Sequence, residues 1–365
     1  MILAPALLRE ILRYPSVTPL DAGAQEVLKQ ALEALGFKIT KLRFGEIENF
    51  FAEREGPGRH LCFAGHSDVV PPGEGWTYPP FAGDQQNGII YGRGAVDMKG
   101  GIAAFIAASS RVAGHVSLLI TGDEEGEAVD GTVRVLEWMQ ANGKIPDFCI
   151  VGEPTSRAHL GDVIKVGRRG SLNATIIVPG RQGHSAYPHL AENAVHKLVP
   201  LLGALTAKKL DEGSAFFEPS SLQITSVDVG NKATNIIPGE ATAKLNIRFN
   251  DLHNGASLTS WLQGLLAQYA PDARLNVKIS GESFLTPPGS EISSLVKAVK
   301  TVTGLEPECN TGGGTSDARF ITRYCPVAEF GLVGATMHKI DEAVPVQELE
   351  QLVDIYELLI REFCA

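Results

Sequence analysis

The sequence predicts an α/β protein with a mixed, largely parallel sheet, interrupted by an inserted α+β domain built on an antiparallel sheet. In the first half, short apolar runs alternate with segments of helical periodicity, which is typical of parallel strands joined by helices. From about Ser171 the apolar and polar residues alternate, as they do in antiparallel strands with one solvated face. After the LTPPGS stretch the first pattern returns. We therefore expect residues 1–169 and 284–365 to form one domain and residues 170–283 to form the inserted one.

Each element is predicted by its hydrophobic spacing. Helical spacing marks residues 7–12, 27–35, 100–112, 131–143, 192–207, 256–270, 291–303 and 347–363. Apolar or alternating runs mark strands at residues 49–53, 60–65, 116–121, 147–152, 171–180, 220–230, 240–250 and 326–331. Gly36 follows the second helical segment as a C-terminal cap.

Composition and charge exclude several classes of protein. The 365 residues include 42 Asp and Glu against 32 Lys and Arg, a formal net charge of -10, and an acidic chain without a basic stripe does not suit nucleic acid. Uncharged apolar stretches stay well below the ~20 residues of a membrane span. The N-terminal run carries Arg9 and Glu10 and does not read as a signal peptide. The 5 cysteines form no CxxC pair. We expect buried, reduced thiols and a cytoplasmic protein without nucleic-acid or membrane partners.

Acidic residues and histidines follow three predicted strands, at the edge where α/β sheets bind ligands. These residues are His66 and Asp68 after HLCFAG, Asp123, Glu124 and Glu125 after VSLLIT, and Glu153 after DFCIVG. Asp97 in GRGAVDMKGG and His338 in ATMHKIDE are further candidates. Each has an ordinary alternative as a surface histidine, a helix cap or a solvated turn. Their recurrence at strand ends favours a shared site.

The residue types point to divalent metal ions. Several carboxylates in one crevice stay ionised together only when a cation neutralises them. Imidazole and carboxylate suit Zn²⁺. Five such ligands exceed what one open catalytic zinc takes and fit two metals that share a bridging ligand.

The stretches GHSDVVPPG, GRGAVDMKGG, DEEGE and GEPT, followed by a late histidine, resemble the M20 family of two-zinc peptidases and deacylases along the whole chain. The resemblance implies a zinc-peptidase-like catalytic domain with an inserted dimerisation domain. It also implies two Zn²⁺ per subunit, with Co²⁺ or another divalent ion able to substitute, and a cis peptide between Asp97 and Met98.

The same resemblance implies a role for each candidate. Asp97 would bridge the two ions. His66 and Glu153 would complete one site, and Glu125 and His338 the other. Glu124 would be the general base, and Asp68 would orient His66.

The stretches VGRRGS, QGHSAYPHLAENAVH and TGGGTSDARF are similar to the deacylases of this family that remove a succinyl group from a diamino-dicarboxylate. That similarity implies a homodimer in which His184 reaches the partner's site and stabilises the oxyanion. The implied substrate-binding residues are Arg168, Ser171, Tyr187, Asn235, Arg248, Gly314 and Thr315, with Tyr187 and Asn235 supplied by the partner subunit. Thr234 departs from the family pattern, which often has Asn there.

Two alternatives stay open at this point. The chain could deacylate another substrate, as an acetylornithine deacetylase or a broad aminoacylase would. It could also be a metal-dependent fold retained for binding or structure, which the presence of Asp68, Glu124 and all five ligands argues against. Gly312–Gly314 lack the Lys-Ser/Thr ending of a phosphate loop, and Ser316 lacks the GxSxG context of a nucleophile.

Overall fold

The chain folds into two compact units. The computed structural model describes residues 1–314 and 316–365, so the substrate-binding role expected for Thr315 falls outside the described residues. The first unit comprises Met1–Val166, Thr286–Asn310 and Ser316–Ala365. The second comprises Gly167–Leu285 and a short segment that begins at Thr311.

Eight strands form the main sheet of the first unit. In spatial order they are β1 (Lys38–Phe44), β2 (Ile47–Arg54), β6 (Val116–Thr121), β3 (Leu61–His66), β7 (Phe148–Val151), β18 (Val327–Glu329), β8 (Val163–Lys165) and β17 (Glu308–Asn310). The neighbours from β6 to β18 run parallel, β8 and β17 run parallel to each other, and the remaining contacts are antiparallel. The predicted mixed, largely parallel sheet is confirmed. Strands β3, β6 and β7 are buried throughout, which explains their unbroken apolar runs.

Helices surround this sheet. They are α1 (Ala4–Ile11), α2 (Ala24–Ala34), α3 (Lys99–Ser109), α4 (Thr132–Ala141), α7 (Ser290–Thr303), α8 (Ala318–Ile321) and α9 (Val346–Phe363), with a 3₁₀ turn at Gly334–Thr336. Every residue of α3 is buried, as expected for a helix that is apolar on all sides. Helix α9 packs against α3 and α7 with a continuous apolar face. Gly36 follows α2 with a φ of 82°, the left-handed conformation that a helix C-terminus favours.

A small second sheet in the same unit was not predicted. It consists of β4 (Asp84–Gln86), β5 (Ile89–Tyr91) and β19 (Ala343–Pro345), with β5 in the centre. Strands of three residues carry too few side chains to show a period of two. The pairing of β19 with β5 places Glu342 beside Gly92, whose N–H donates to the Glu342 carbonyl at 2.9 Å.

The second unit contains the predicted antiparallel sheet. In spatial order its strands are β12 (Ser221–Asp228), β14 (Glu240–Phe249), β10 (Gly170–Pro179) and β15 (Arg274–Gly281). Helices α5 (Ala194–Ala207) and α6 (Gly255–Tyr269) pack on it through leucine-rich faces. Short strands form two further pairs: β9 (Gly167–Arg168) with β16 (Phe284–Leu285), and β11 (Gly183–His184) with β13 (Ile236–Ile237); a 3₁₀ turn spans Pro188–Leu190. Because β9 pairs with β16, this unit begins at Gly167 rather than at residue 170.

Two other expectations concern the surface and the thiols. Within residues 1–314 and 316–365, no helix is both long enough and apolar enough to cross a bilayer. All five cysteines are unpaired, and four of them are buried. The expectation of a buried thiol is wrong at Cys309, which is exposed on β17 at the edge of the main sheet.

Candidate active site

The candidate site lies at the carboxyl ends of β6, β3 and β7. These strands are adjacent and parallel, so their ends share one edge of the sheet. His66 is the last residue of β3, Glu124 and Glu125 follow β6, and Glu153 follows β7. Gly152 precedes Glu153 at a close approach, because a Cβ there would lie 2.3 Å from the ring of Phe63.

Asp97 lies between two histidines. Its Oδ1 is 3.2 Å from His66 Nε2, and its Oδ2 is 3.0 Å from His338 Nε2. His338 Nε2 also lies 2.9 Å from Glu125 Oε1, and His66 Nε2 lies 3.9 Å from Glu153 Oε1. The structure therefore brings together all five residues expected to bind metal, with one histidine and one glutamate on each side of Asp97.

The donor atoms fit divalent cations. The cluster contains two groups of potential ligand atoms, and within each group all the atoms lie within 4.8 Å of one another. One group comes from His66, Asp97 and Glu125, and the other from His66, Glu124 and Glu153. Imidazole nitrogens and carboxylate oxygens in such groups are the ligands that zinc takes in hydrolytic sites. The cluster is therefore a candidate metal centre.

The backbone has unusual conformations at Asp97 and at His338. The peptide bond between Asp97 and Met98 is cis. Helix α3 begins at Lys99 with Met98 at its N-cap and without a side-chain capping bond, so Asp97 does not serve as a helix cap. On the other side, His338 has a φ of 60°, a conformation that residues other than glycine adopt rarely and that concentrates at functional sites.

Burial, together with nearby negative charge, raises the pKa of Glu124 and Glu153. Burial, with the nearby Asp317 and other carboxylates, raises the pKa of Glu124 to about 8. Burial and the charges of Asp97 and Glu124 raise the pKa of Glu153 well above its ordinary value. A bound divalent cation reverses this effect, since it favours the ionised form of every carboxylate around it.

Neighbouring carboxylates raise the pKa of both histidines. Burial alone would lower the pKa of His66, but its hydrogen bond with Asp97 and the charge of Asp68 raise it well above the ordinary value. Hydrogen bonds with Asp97 and Glu125 raise the pKa of His338 to about 10. Burial would raise the pKa of Asp97, and the two histidines instead lower it. This strong mutual attraction keeps both imidazoles directed at Asp97.

Asp68 contacts both His66 and the loop after β6. The Nδ1 atom of His66 lies 2.9 Å from the main-chain carbonyl of Asp68 and 3.7 Å from its carboxylate. The buried carboxylate also accepts the main-chain N–H groups of Glu124 and Glu125, at 3.4 and 3.1 Å. Burial raises its pKa to about 6.

Several buried charged residues near the cluster were missed. Glu342 accepts two main-chain N–H groups of the Asp97 segment and pairs with Arg93. Asp317 accepts a hydrogen bond from the Thr132 hydroxyl at 2.6 Å. Arg93 and Glu342 both lie inside the motif stretches, but neither spacing nor periodicity distinguishes them from ordinary surface charges.

One group of expected substrate-binding residues surrounds the start of the second unit's sheet. Ser171 on β10 lies opposite Arg248 on β14. The guanidinium of Arg168 donates to the carbonyl of Gly314. Burial and the neighbouring Arg169 lower the pKa of Arg248. The guanidinium groups of Arg169 and Arg248 therefore lie close enough for their positive charges to interact.

A second group surrounds His184. The rings of His184 and Tyr187 are 5.7 Å apart, and the Asn235 carbonyl accepts the N–H of Ser185 at 2.9 Å. His184 is exposed, and its Nδ1 accepts the N–H of Ala186 at 3.0 Å. The neutral ring therefore carries its proton on Nε2, where it can be donated to a ligand.

The chain is similar to known proteins over nearly its whole length. Residues 62–362 match the model of Peptidase family M20/M25/M40. The chain belongs to this family. A succinyl-diaminopimelate desuccinylase of Gluconacetobacter diazotrophicus is 61% identical, with 97% of this chain and 95% of that protein covered. The protein of the same name from Caulobacter vibrioides is 55% identical, with coverage of 98% and 95%.

Solved structures of two peptidases share the fold. An M20 family metallo-carboxypeptidase from Sulfolobus solfataricus has a TM-score of 0.79 at 18% identity, covering 100% of this chain and 99% of its own. The aminopeptidase PepT from Bacillus cereus has a TM-score of 0.80 at 17% identity, with coverage of 98% and 97%. These similarities confirm the predicted fold class.

Proposed function

We propose that this protein is a metal-dependent amidohydrolase that cleaves N-succinyl-LL-2,6-diaminoheptanedioate to succinate and LL-2,6-diaminoheptanedioate, a step of lysine and diaminopimelate biosynthesis in the cytoplasm. The observation that carries the proposal is the pairing of the two Asp97 carboxylate oxygens with His66 and His338. Relatives named succinyl-diaminopimelate desuccinylase, at 52% to 61% identity over nearly the whole chain, support the choice of substrate.

The proposal includes two Zn²⁺ per subunit, for which Co²⁺ or another divalent ion can substitute. Asp97 would be shared, with His66 and Glu153 on one side and Glu125 and His338 on the other. The 2.9 Å contact of His338 with Glu125 and the 3.9 Å contact of His66 with Glu153 support this division. When bound, the two cations supply polarisation of the amide carbonyl and a lowered pKa for a water molecule.

Glu124 acts as the general base in this proposal. Its carboxylate takes a proton from the attacking water and delivers it to the nitrogen of the leaving amine. Burial and neighbouring carboxylates raise the pKa of Glu124 in the metal-free protein, and bound cations would favour the ionised form that accepts a proton. Asp68 supports this role, because its carboxylate holds the Glu124 N–H at 3.4 Å.

The second unit would form a homodimer and bring His184 to the partner's metal centre. The protonated Nε2 of His184 would donate to the oxyanion that develops on the amide carbonyl. An exposed position and a hydrogen bond that leaves the proton on Nε2 support this role. The edge position of β12 supports pairing with a second copy.

Mixing two inactive variants tests this arrangement. In a mixed dimer of His184→Ala and Glu124→Ala, one site has both an intact Glu124 and an intact His184 from the other subunit. We expect such dimers to recover about half of the wild-type activity. No recovery in confirmed mixed dimers would show that His184 acts within its own subunit, and an active His184→Ala homodimer would show that it has no catalytic role.

Substrate recognition would depend on carboxylates meeting arginines. Arg168 and Arg248 would bind the acidic groups of the substrate as forked donors. Ser171 and Gly314 would add contacts from the same region, as would Thr315 by its position in the sequence, and Tyr187 and Asn235 would act from the partner. The neighbouring charges of Arg169 and Arg248 support a substrate with several carboxylates.

A substrate panel with the metal-loaded protein tests the reaction. We expect kcat/KM to be highest for N-succinyl-LL-2,6-diaminoheptanedioate. A higher value for N-acetylornithine, or similar values for many acyl amino acids, would favour the acetylornithine deacetylase or aminoacylase alternative. A fully loaded protein that hydrolyses none of them would contradict an enzymatic role.

A further inference from the structure

The segment that carries Asp97 has no regular secondary structure to hold it. Residues 92–98 connect β5 to α3 without joining a strand or a helix. Both oxygens of the Asp97 carboxylate face histidines, at 3.2 and 3.0 Å. A small rotation of this main chain would therefore disturb both sides of the cluster at once, so its orientation needs other support.

Glu342 holds this segment at two points. Its Oε1 accepts the main-chain N–H groups of Val96 at 2.9 Å and of Asp97 at 3.2 Å. Its own carbonyl accepts the N–H of Gly92 at 2.9 Å. The side chain is completely buried, so water does not compete for these hydrogen bonds.

Arg93 completes the arrangement. Its Nη1 donates to Glu342 Oε2 at 2.6 Å, and both side chains are buried. Its Nη2 donates to the carbonyl of Pro72 at 3.2 Å and lies 3.5 Å from the carbonyl of His338. The pair therefore joins the loop after β3, the Asp97 segment and the segment of His338. Each partner needs the other, since an unpaired buried charge is strongly unfavourable.

We propose that the Arg93–Glu342 pair positions Asp97, and that divalent metal binding at the cluster depends on it. The inference rests on the proposed two-metal function. It assigns Glu342 and Arg93 as positioning residues, because they act on the main chain of Asp97 and on the His338 segment rather than on the substrate. A purely stabilising pair would affect unfolding and leave the metal affinity of the folded protein unchanged.

The variant Glu342→Gln tests the proposal. Its single amide oxygen replaces two carboxylate oxygens, so it no longer satisfies both Arg93 and the two N–H groups. We expect the affinity for Co²⁺, measured by competition with a chelator, to fall by about 10- to 100-fold, the usual effect of losing a partner behind a metal ligand. Urea unfolding of the metal-free protein measures stability separately.

Glu348→Gln is the matched control. Glu348 is partly buried and accepts a main-chain N–H, that of Val333 at 2.8 Å, which is not part of the cluster. We expect this variant to bind Co²⁺ as the wild type does. A folded Glu342→Gln protein with wild-type affinity, or an equal loss in Glu348→Gln, would overturn the proposal.

Arg93→Lys tests the same proposal if the Glu342→Gln protein does not fold. Lysine keeps the positive charge beside Glu342 but cannot also reach the Pro72 carbonyl with a forked head. We expect about a 10-fold loss of Co²⁺ affinity, and wild-type affinity would overturn the proposal. Failure of the wild type itself to bind two equivalents of Co²⁺ would instead contradict the proposed function.

Discussion

The carboxylate of Asp68 accepts the main-chain N–H of Glu125 at 3.1 Å, across 57 positions of sequence. The neighbouring N–H of Glu124 lies 3.4 Å from the same carboxylate. One buried side chain from the end of β3 therefore fixes the loop that carries both the proposed base and a proposed metal ligand. The main-chain carbonyl of the same residue lies 2.9 Å from His66 Nδ1.

Replacing Asp68 by asparagine should loosen that loop. The amide has one acceptor oxygen, so at least one of the two N–H groups loses its partner. We expect kcat to fall by about 10- to 100-fold, and amide hydrogen exchange in residues 122–131 of the metal-free protein to accelerate. Unchanged exchange in that segment would show that Asp68 acts through His66 instead.

Glu124→Gln should abolish turnover without emptying the metal centre. Glutamine keeps the size of the side chain but cannot accept the proton of the attacking water, and a general base contributes about 10²- to 10⁴-fold to the rate. Metal content, measured by elemental analysis, should match the wild type because Glu124 is not one of the five proposed ligands. Glu127→Gln, an exposed change in the same loop, should leave kcat unaltered. Loss of metal in Glu124→Gln would assign that residue to the ligand set.

Removal of divalent ions should remove both activity and stability. A chelator takes away the cations that neutralise the clustered carboxylates, and readdition of Zn²⁺ or Co²⁺ should restore hydrolysis. A metal at 100 times its Kd stabilises the folded state by about 2.7 kcal/mol, so Tm should rise on loading. Hydrolysis that survives complete demetallation would contradict the proposed mechanism.

The stability of the first unit should fall in acid because of His60. This buried histidine stacks on His115 with ring centroids 4.1 Å apart and contacts the Ser117 hydroxyl at 2.7 Å. Burial and His115 lower its pKa from 6.5 to about 4. The unfolded chain therefore binds a proton below pH 6.5 that the folded chain does not take up until about pH 4. Stabilisation of about 3 kcal/mol is present above pH 6.5 and is lost as the pH falls toward 4.

Urea unfolding at pH 7.5 and 4.5 checks this prediction. His60→Gln should lose less free energy of unfolding between these two pH values than the wild type does. His159→Gln removes an exposed histidine of the same unit and should behave like the wild type. An equal pH dependence in His60→Gln and the wild type would show that other groups carry the acid sensitivity.

The sequence predicted the long elements because their burial leaves a periodic trace. The unbroken apolar run of β6 reflects a strand that is buried on both faces. The alternation along β10 reflects a strand with one buried face. The small sheet around β5 left no such trace, because three residues do not establish a period. Strand β15 was also missed, although its residues alternate between polar and apolar from Arg274 to Ser280.

The sequence predicted those site residues whose side chains are of types that bind metal ions. His66 and Asp97 belong to motifs whose residue types suit metal ions. The hydrogen bonds of Asp68 and Glu342 were not predictable, because their acceptors meet main-chain N–H groups, which every residue type except proline offers. Arg93 and Glu342 are 249 positions apart, and only the pairing of β19 with β5 brings them together.

The spacing of the site residues along the chain has a consequence for folding. His66, Asp97, Glu125 and Glu153 lie close together in the sequence, whereas His338 and Glu342 come much later. The acidic cluster therefore stays incomplete until distant segments of the first unit fold together and α9 packs against α3. Binding of the proposed metal ions is consequently coupled to the folding of this unit.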